Sequence, residues 1–276
     1  MSAPVPLRLR PLEIGDLLDE TFRMYRRHFL LFAGISVILA IPSAALLGVI
    51  FGWFSAVIDQ TTGAADLWLF LAAAGATALV NLLIIPFTYG AVIFAACESA
   101  IGRPVTAGSV FRGVSRRYFP LLGYWTLFFI TLGLAVLLCV APVALWLWVF
   151  VGWIAVTPAM FVENIGLGTA MGRSWNLVKG RWWRTFLILF LMYIVWYVAG
   201  IALGAFIQLA QFVLLMVLSP VIATGVAVAA SQLISAVLNP VMQILIVLIY
   251  FDLRVRREAL DLFQMAYQLS ARPALP

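Results

Sequence analysis

Few side chains in this chain can do chemistry, and their spacing does not suit catalysis. His28 is the only histidine among 276 residues, so there is no His-based metal motif such as H-E-x-x-H. A Ser–His couple would need an orienting acid, and nothing marks one. There is no Gly-rich phosphate loop and no nucleophile elbow. Cys97 and Cys139 fall near opposite ends of different apolar stretches, which argues against a disulfide between them. What remains is seventeen Lys and Arg against eleven acids. The expectation is a non-enzymatic protein with no catalytic residue, no cofactor and no metal.

The elements that position those charges read clearly. With 65% hydrophobic and 10% charged residues, the chain falls outside the globular range, where about a quarter of residues are charged. The long uncharged stretches are 29–58, 67–97, 118–162 and 185–251. A membrane helix needs about 20 apolar residues, so the first two stretches hold one crossing each and the third holds two, with a turn near Pro142. The fourth has length for two or three. Basic residues near spans favour the cytoplasm, and this decides the parity. Two crossings, turning near Ser219-Pro220, keep Arg254, Arg256, Arg257 and Arg272 with the N-terminal group (Arg8, Arg10, Arg23, Arg26, Arg27), with Arg103, Arg112, Arg116 and Arg117, and with Arg173, Lys179, Arg181 and Arg184. Only Asp59 and Asp66 are then external. The expected topology is six transmembrane helices with both termini cytoplasmic. The N-terminus is polar and charged and does not read as a cleavable signal.

A repeat underlies this order. Three short basic segments, IGDLLDETFRMYRRHF (14–29), VTAGSVFRGVSRRYF (105–119) and LGTAMGRSWNLVKGRWW (167–183), each precede a hairpin of two spans. Each hairpin exits at an acid: Glu98, Glu163 and Asp252. Ile14, Leu17, Leu18, Phe22 and Tyr25 share one helical face, as do Leu167, Met171, Trp175, Val178 and Trp182. These segments are expected to be amphipathic helices lying in the headgroup plane, apolar face down. The fold class is therefore all-α and polytopic, a single membrane domain over 1–276. It divides into interfacial helix 11–28, hairpin 29–97, interfacial helix 104–118, hairpin 119–162, interfacial helix 165–184, hairpin 185–251 and a cytoplasmic tail 252–276.

Two kinds of site follow. Arg23, Arg26, Arg27, Arg116, Arg117, Lys179, Arg181 and Arg184 form basic collars that suit membrane lipids, an anionic phospholipid or a protein partner; each such charge near an anionic leaflet contributes about 1 kcal/mol. Orientation and anchoring alone also account for them and are the plainer account, because insertion requires positive charge on the inner side in any case. Split among juxtamembrane positions, they do not suit nucleic acid. Asn81, Gln208, Gln211, Asn239 and Gln243 lie inside the spans, with Pro42, Pro86, Pro142, Pro158, Pro220 and Pro240 able to interrupt helices around a binding site. Bonds between helices explain these amides as well. No ionisable side chain is expected deep in a span, which disfavours a proton-coupled carrier and leaves a passive transporter or lipid conduit as the alternative. The small-residue patterns Gly48-Val49-Ile50-Phe51-Gly52 and Gly200-Ile201-Ala202-Leu203-Gly204 fit helix packing within the chain or a homo-oligomer. Glu98, Glu163 and Asp252 are expected to pair with nearby Arg residues.

RPLEIGDLLDETFRMYRRHF (10–29), PFTYGAVIFAACESAIGRPVTAG (86–108), ENIGLGTAMGRSWNLVKGRWWR (163–184) and LIYFDLRVRREALDL (248–262) resemble a family of bacterial membrane proteins. That family corresponds to the membrane domain attached to some glycerophosphoryl diester phosphodiesterases, and it also occurs as standalone proteins. The resemblance implies the membrane architecture, a bacterial plasma-membrane location and a role near phospholipid metabolism. The enzymes' catalytic barrel, with its His and acidic metal ligands, has no matching positions here.

Overall fold

The computed structural model of the protein describes residues 12–58, 64–138 and 140–258. Among them the chain forms ten helices and no strand: α1 (Ile14–Arg27), α2 (Phe29–Ile58), α3 (Ala64–Ile101), α4 (Ala107–Ser115), α5 (Tyr118–Leu137), α6 (Val140–Gly152), α7 (Val156–Val162), α8 (Leu167–Val178), α9 (Trp182–Leu215) and α10 (Pro220–Glu258). Six segments are long and apolar enough to cross a membrane: α2, α3, α5, α6 with α7, α9 and α10. The protein is an all-α, multi-pass membrane protein. Arg8, Arg10, Asp59, Cys139 and Arg272 lie outside the described residues; Cys97 is a buried free thiol.

The stretch 185–251 makes two crossings, turning between Leu215 and Pro220. Pro220 opens α10, where a missing N–H is harmless. The other hairpin turn comes slightly before Pro142, between Leu137 and Val140. Pro142 sits in the first turn of α6, whose N–H groups have no helical partner to lose. Pro42, Pro86 and Pro240 lie inside α2, α3 and α10 without ending them. The last helix continues past 251, carrying Arg254, Arg256 and Arg257 on it to Glu258.

The threefold repeat is visible in space. α4 packs on α3, α8 packs on α7, and α1 packs on α10. Each short helix thus rests on the exit helix of the preceding unit, and the first rests on the exit of the third, closing a ring. Three hydrogen bonds hold the ring at equivalent levels. Tyr118 Oη donates to the Leu83 carbonyl (2.9 Å), Trp182 Nε1 to the Trp148 carbonyl (3.0 Å) and Tyr25 Oη to the Val237 carbonyl (2.5 Å). Each acceptor lies 15 residues before an exit acid, by the differences 98 − 83, 163 − 148 and 252 − 237. In the continuous helices α3 and α10 that is about 22 Å at 1.5 Å per residue; in the middle unit the break between α6 and α7 intervenes.

The short helices bury their apolar stripes against protein, where lipid was expected to cover them. The exit segments Ala91–Ala100, Val151–Met160 and Val241–Leu253 share one buried core with Leu17, Met24, Tyr25, Val110, Val114, Leu177 and Val178. The apolar stripes are where the sequence puts them, but the protein's own exit helices cover them. The physical reason is competition: a preformed apolar surface on α3, α7 and α10 buries the stripe with packing that fluid lipid cannot match. Apart from Phe111 on α4 and Ile101 at the end of α3, the exposed large apolar residues begin beyond this layer, at Phe29, Phe119 and Trp183, and on the exit helices end at Leu83, Trp148 and Val226. A wrapped layer at the basic end thus adjoins an apolar belt.

The belt itself is organised by close contact between α2 and α10. A Cβ on Gly48 would lie 2.8 Å from the Gly225 carbonyl oxygen, one on Gly225 would lie 2.8 Å from the Gly48 carbonyl oxygen, and one on Gly52 would lie 2.7 Å from the Val221 carbonyl oxygen. The first small-residue pattern therefore serves intramolecular packing. Gly200 and Gly204 on α9 face open space. Gly48→Leu or Gly225→Leu is expected to destabilise the fold by about 1–3 kcal/mol through overpacking, whereas Gly200→Leu leaves the melting temperature in detergent unchanged. Equal melting of the three variants would contradict this packing.

Candidate functional site

The exit acids are built into the basic end as ion-paired nodes. The Asp252 side chain is 1% exposed, and a carboxylate so sealed requires partners for its charge and lone pairs. Arg184 Nη1 donates to it at 2.6 Å, Arg256 Nε donates to both its oxygens at 3.0 Å, and the Leu12 N–H donates at 3.0 Å. The same two guanidinium groups donate to the Leu12 carbonyl. The backbone of one residue, through both its N–H and its carbonyl, and one carboxylate are thereby locked between two arginines from α9 and α10. Asp252 and Arg256 meet because they are four apart on one helix.

Glu163 forms the second node. Arg173 Nε donates to its two oxygens at 3.0 and 2.9 Å, and Tyr250 Oη donates at 2.8 Å. Arg173 also pairs with Glu258, which takes Arg254 Nε at 2.9 Å. Burial works against the Arg173 charge, but the hydrogen bonds to Glu163 and Glu258 outweigh it and raise its pKa above the ordinary value. Glu98 closes on Arg103 at 3.3 Å. Each exit acid is thus neutralised by arginine. A further stitch joins α8 to the break between α6 and α7: Ser174 Oγ donates to the Gly152 carbonyl (2.8 Å) and accepts the Ala155 N–H (3.1 Å). Burial and the neighbouring Arg27 push the His28 imidazole below its ordinary range, which keeps it neutral at neutral pH.

The eight collar residues separate into two groups. Arg117 donates to the Ile165 carbonyl (2.6 Å) and to the Asn164 side chain, bracing the loop where Asn164 takes a left-handed φ of 55°; asparagine tolerates that conformation. Arg181 reaches the Arg256 carbonyl (3.3 Å), and Arg184 belongs to the Asp252 node. These three are braces. Arg23, Arg26, Arg27, Arg116 and Lys179 are exposed. Arg23 pairs with Glu20 at 3.3 Å; the other four have no acidic partner among the described residues. They stand beside the start of the apolar belt: Arg26 and Arg27 next to Phe29 and Leu30 (43% and 85% exposed), Arg116 next to Phe119 (80%), and Lys179 next to Trp183 (77%).

The second site lies in the bundle. Ser36, Ser43, Asn81, Thr88, Asn239 and Gln243, with Gln232, line a cavity of about 150 Å3 between α2, α3 and α10. It sits where Pro42, Pro86 and Pro240 each remove one backbone hydrogen bond from their helix. The amides at 81, 239 and 243 come together here, whereas Gln208 is exposed and Gln211 half-buried on α9. Ser36, Ser43, Thr88 and Gln232 are lining residues that sequence reasoning missed. The signal that could have found them is the spacing of Pro86 to Glu98 and Pro240 to Asp252, 12 residues in both cases, which sets the two prolines at one level. The Leu12 peptide left no sequence signal at all.

Asp252→Ala would leave two guanidinium groups facing each other without a counter-charge, and a loss of about 3 kcal/mol is expected from the broken buried pair. Arg116→Gln, at an exposed position, should change stability by less than about 0.5 kcal/mol. Thermal unfolding in detergent followed by tryptophan fluorescence compares them; matched transitions would remove the case for the Asp252 node. No family model, curated protein or solved structure matches the chain.

Proposed function

We propose that this protein is a non-enzymatic membrane module that holds anionic phospholipid at the inner leaflet of a bacterial plasma membrane, its basic end and both termini cytoplasmic. The supporting observation is the placement of the unpaired bases. Arg26, Arg27, Arg116 and Lys179 stand at three points around the ring, each beside an exposed aromatic that opens the apolar belt. Phosphate-bearing headgroups sit at that depth in a bilayer, and a base there attracts them while the aromatic anchors the level. In this reading the short helices are amphipathic, with their apolar faces spent on the ring, so lipid meets them only along their polar edge and C-terminal bases. The reading agrees with the resemblance to the membrane domain of glycerophosphoryl diester phosphodiesterases, whose substrates derive from phospholipid.

The polar cavity favours a second reading, a passive conduit for a lipid or small polar molecule, because it sets uncharged hydrogen-bonding groups within the bundle.

The test is native mass spectrometry of protein incubated with mixed phosphatidylglycerol and phosphatidylcholine. Selective retention of phosphatidylglycerol is expected. Each of Arg26→Gln, Arg116→Gln and Lys179→Gln should lower retention about fivefold at its site, the equivalent of roughly 1 kcal/mol per base. Equal retention of both lipids, unchanged retention in the triple variant, or occupation of the bases by a protein partner instead would overturn the assignment.

A further inference from the structure

The cavity at the prolines has a chemistry that the basic ring does not share. Its side chains are Ser, Thr, Asn and Gln with Ala and Ile, and none of them is ionisable. Several have already donated a hydrogen to their own helices. Ser43 Oγ donates to the Ala40 carbonyl (2.9 Å), Thr88 Oγ1 to the Ile85 carbonyl (3.1 Å) and Asn81 Nδ2 to the Thr77 carbonyl (2.9 Å). What the Ser43 and Thr88 hydroxyls turn to the cavity is therefore oxygen, while Asn81 keeps its amide oxygen and one N–H. Gln243 is 9% exposed, and its Oε1 is a buried acceptor with no partner. A buried amide oxygen left without a donor is costly, about 1–3 kcal/mol, so the site is shaped for something that donates to it.

A second cavity adjoins this one. Ala78, Leu79, Leu82 and Phe129, together with Asn81 and Ile85, line a space of about 510 Å3 between α3 and α5. Asn81 and Ile85 belong to both cavities. Leu79 is 62% exposed and lies within the apolar belt, so this groove opens where lipid chains run. A small polar chamber beside an apolar groove, the two sharing Asn81 and Ile85 as lining, matches an amphiphile.

We infer that these two cavities form a binding site for an uncharged lipid bearing a free hydroxyl, with its chain in the α3–α5 groove and its hydroxyl donating to Gln243 Oε1. The neutral lining decides the headgroup class. A phosphate in this chamber would lose its hydration without meeting a cation, which costs several kcal/mol. A hydroxyl loses little, because it exchanges water for amide oxygens. By the measure in which a water occupies about 10–15 Å3, the chamber has room for on the order of ten water-sized groups, enough for a glyceryl head. None of the ring bases lines either cavity, so the site stands independently of phospholipid binding at the ring.

The experiment uses the full chain in detergent with dioctanoylglycerol, which has a free hydroxyl, trioctanoylglycerol, which lacks one, and dioctanoyl phosphatidylglycerol. Bound lipid is counted by native mass spectrometry, first for the unaltered protein and then for two variants. Gln243→Leu removes the unpartnered acceptor. Ala78→Trp fills the groove from an exposed position, where folding is undisturbed. Dioctanoylglycerol is expected to bind in preference to both other lipids, and to bind about tenfold more weakly to each variant. The combined Arg26→Gln, Arg116→Gln and Lys179→Gln variant should bind it as the parent does, which separates this site from the ring. Should Gln243→Leu fail to fold, Ala78→Trp carries the result. Equal binding of di- and trioctanoylglycerol, binding unaltered by Ala78→Trp, or a chamber that retains water alone would each overturn the inference.

Discussion

A carboxylate removed from solvent must be answered by charge and by hydrogen-bond donors, and the rest of the fold depends on how this chain does so at Asp252. Its partners come from the start of the chain, from α9 and from α10 itself: the Leu12 N–H, Arg184 and Arg256. Satisfying one acid therefore brings together the first and last described segments. That junction joins the first unit to the third and so closes the ring, fixing the residues that enter α1 at the Asp252 level of α10. The other two junctions are covalently short: α4 follows α3 directly, and α8 follows α7. The one non-local junction carries the most heavily bonded acid.

The ring divides the molecule into two environments. Around the exit helices the apolar residues are sealed by α1, α4 and α8; beyond them lies the exposed apolar belt. Pro86 and Pro240 stand near this change in α3 and α10, and the middle unit breaks there outright, between Gly152 and Val156. The break costs little because Ser174 supplies the hydrogen bonds that the backbone forgoes. Where α3 and α10 keep their helices through proline, together with Pro42 in α2, the loosened backbone coincides with the polar cavity. The bases at the ring's edge and the neutral chamber within the bundle are thus consequences of one architecture, and they differ in charge.

Much of this was legible in the sequence. The six spans, the parity of the last stretch, the three short helices and the pairing of Glu98, Glu163 and Asp252 with arginine all follow from local signals: length without charge, helical spacing of apolar residues, and a base near each acid. The collar was legible only as a composition. Arg117, Arg181 and Arg184 look like Arg26, Arg27 and Arg116 in the sequence, and nothing local shows that the first three are consumed as braces. Likewise Gln208 and Gln211 read as strongly as Gln243, yet α9 turns them outward from the cavity.

What the sequence by itself determined is which residues leave water and on which side the charges gather, because burial in an apolar medium acts on each segment through its own composition. What only the tertiary structure decided is what covers each face and what each polar group meets. The stripes on α1, α4 and α8 specify that something apolar must cover them, and lipid and protein satisfy that requirement equally on paper. The choice fell to protein because the exit helices present a fixed, complementary surface, and such a surface exists only once all three units are packed together.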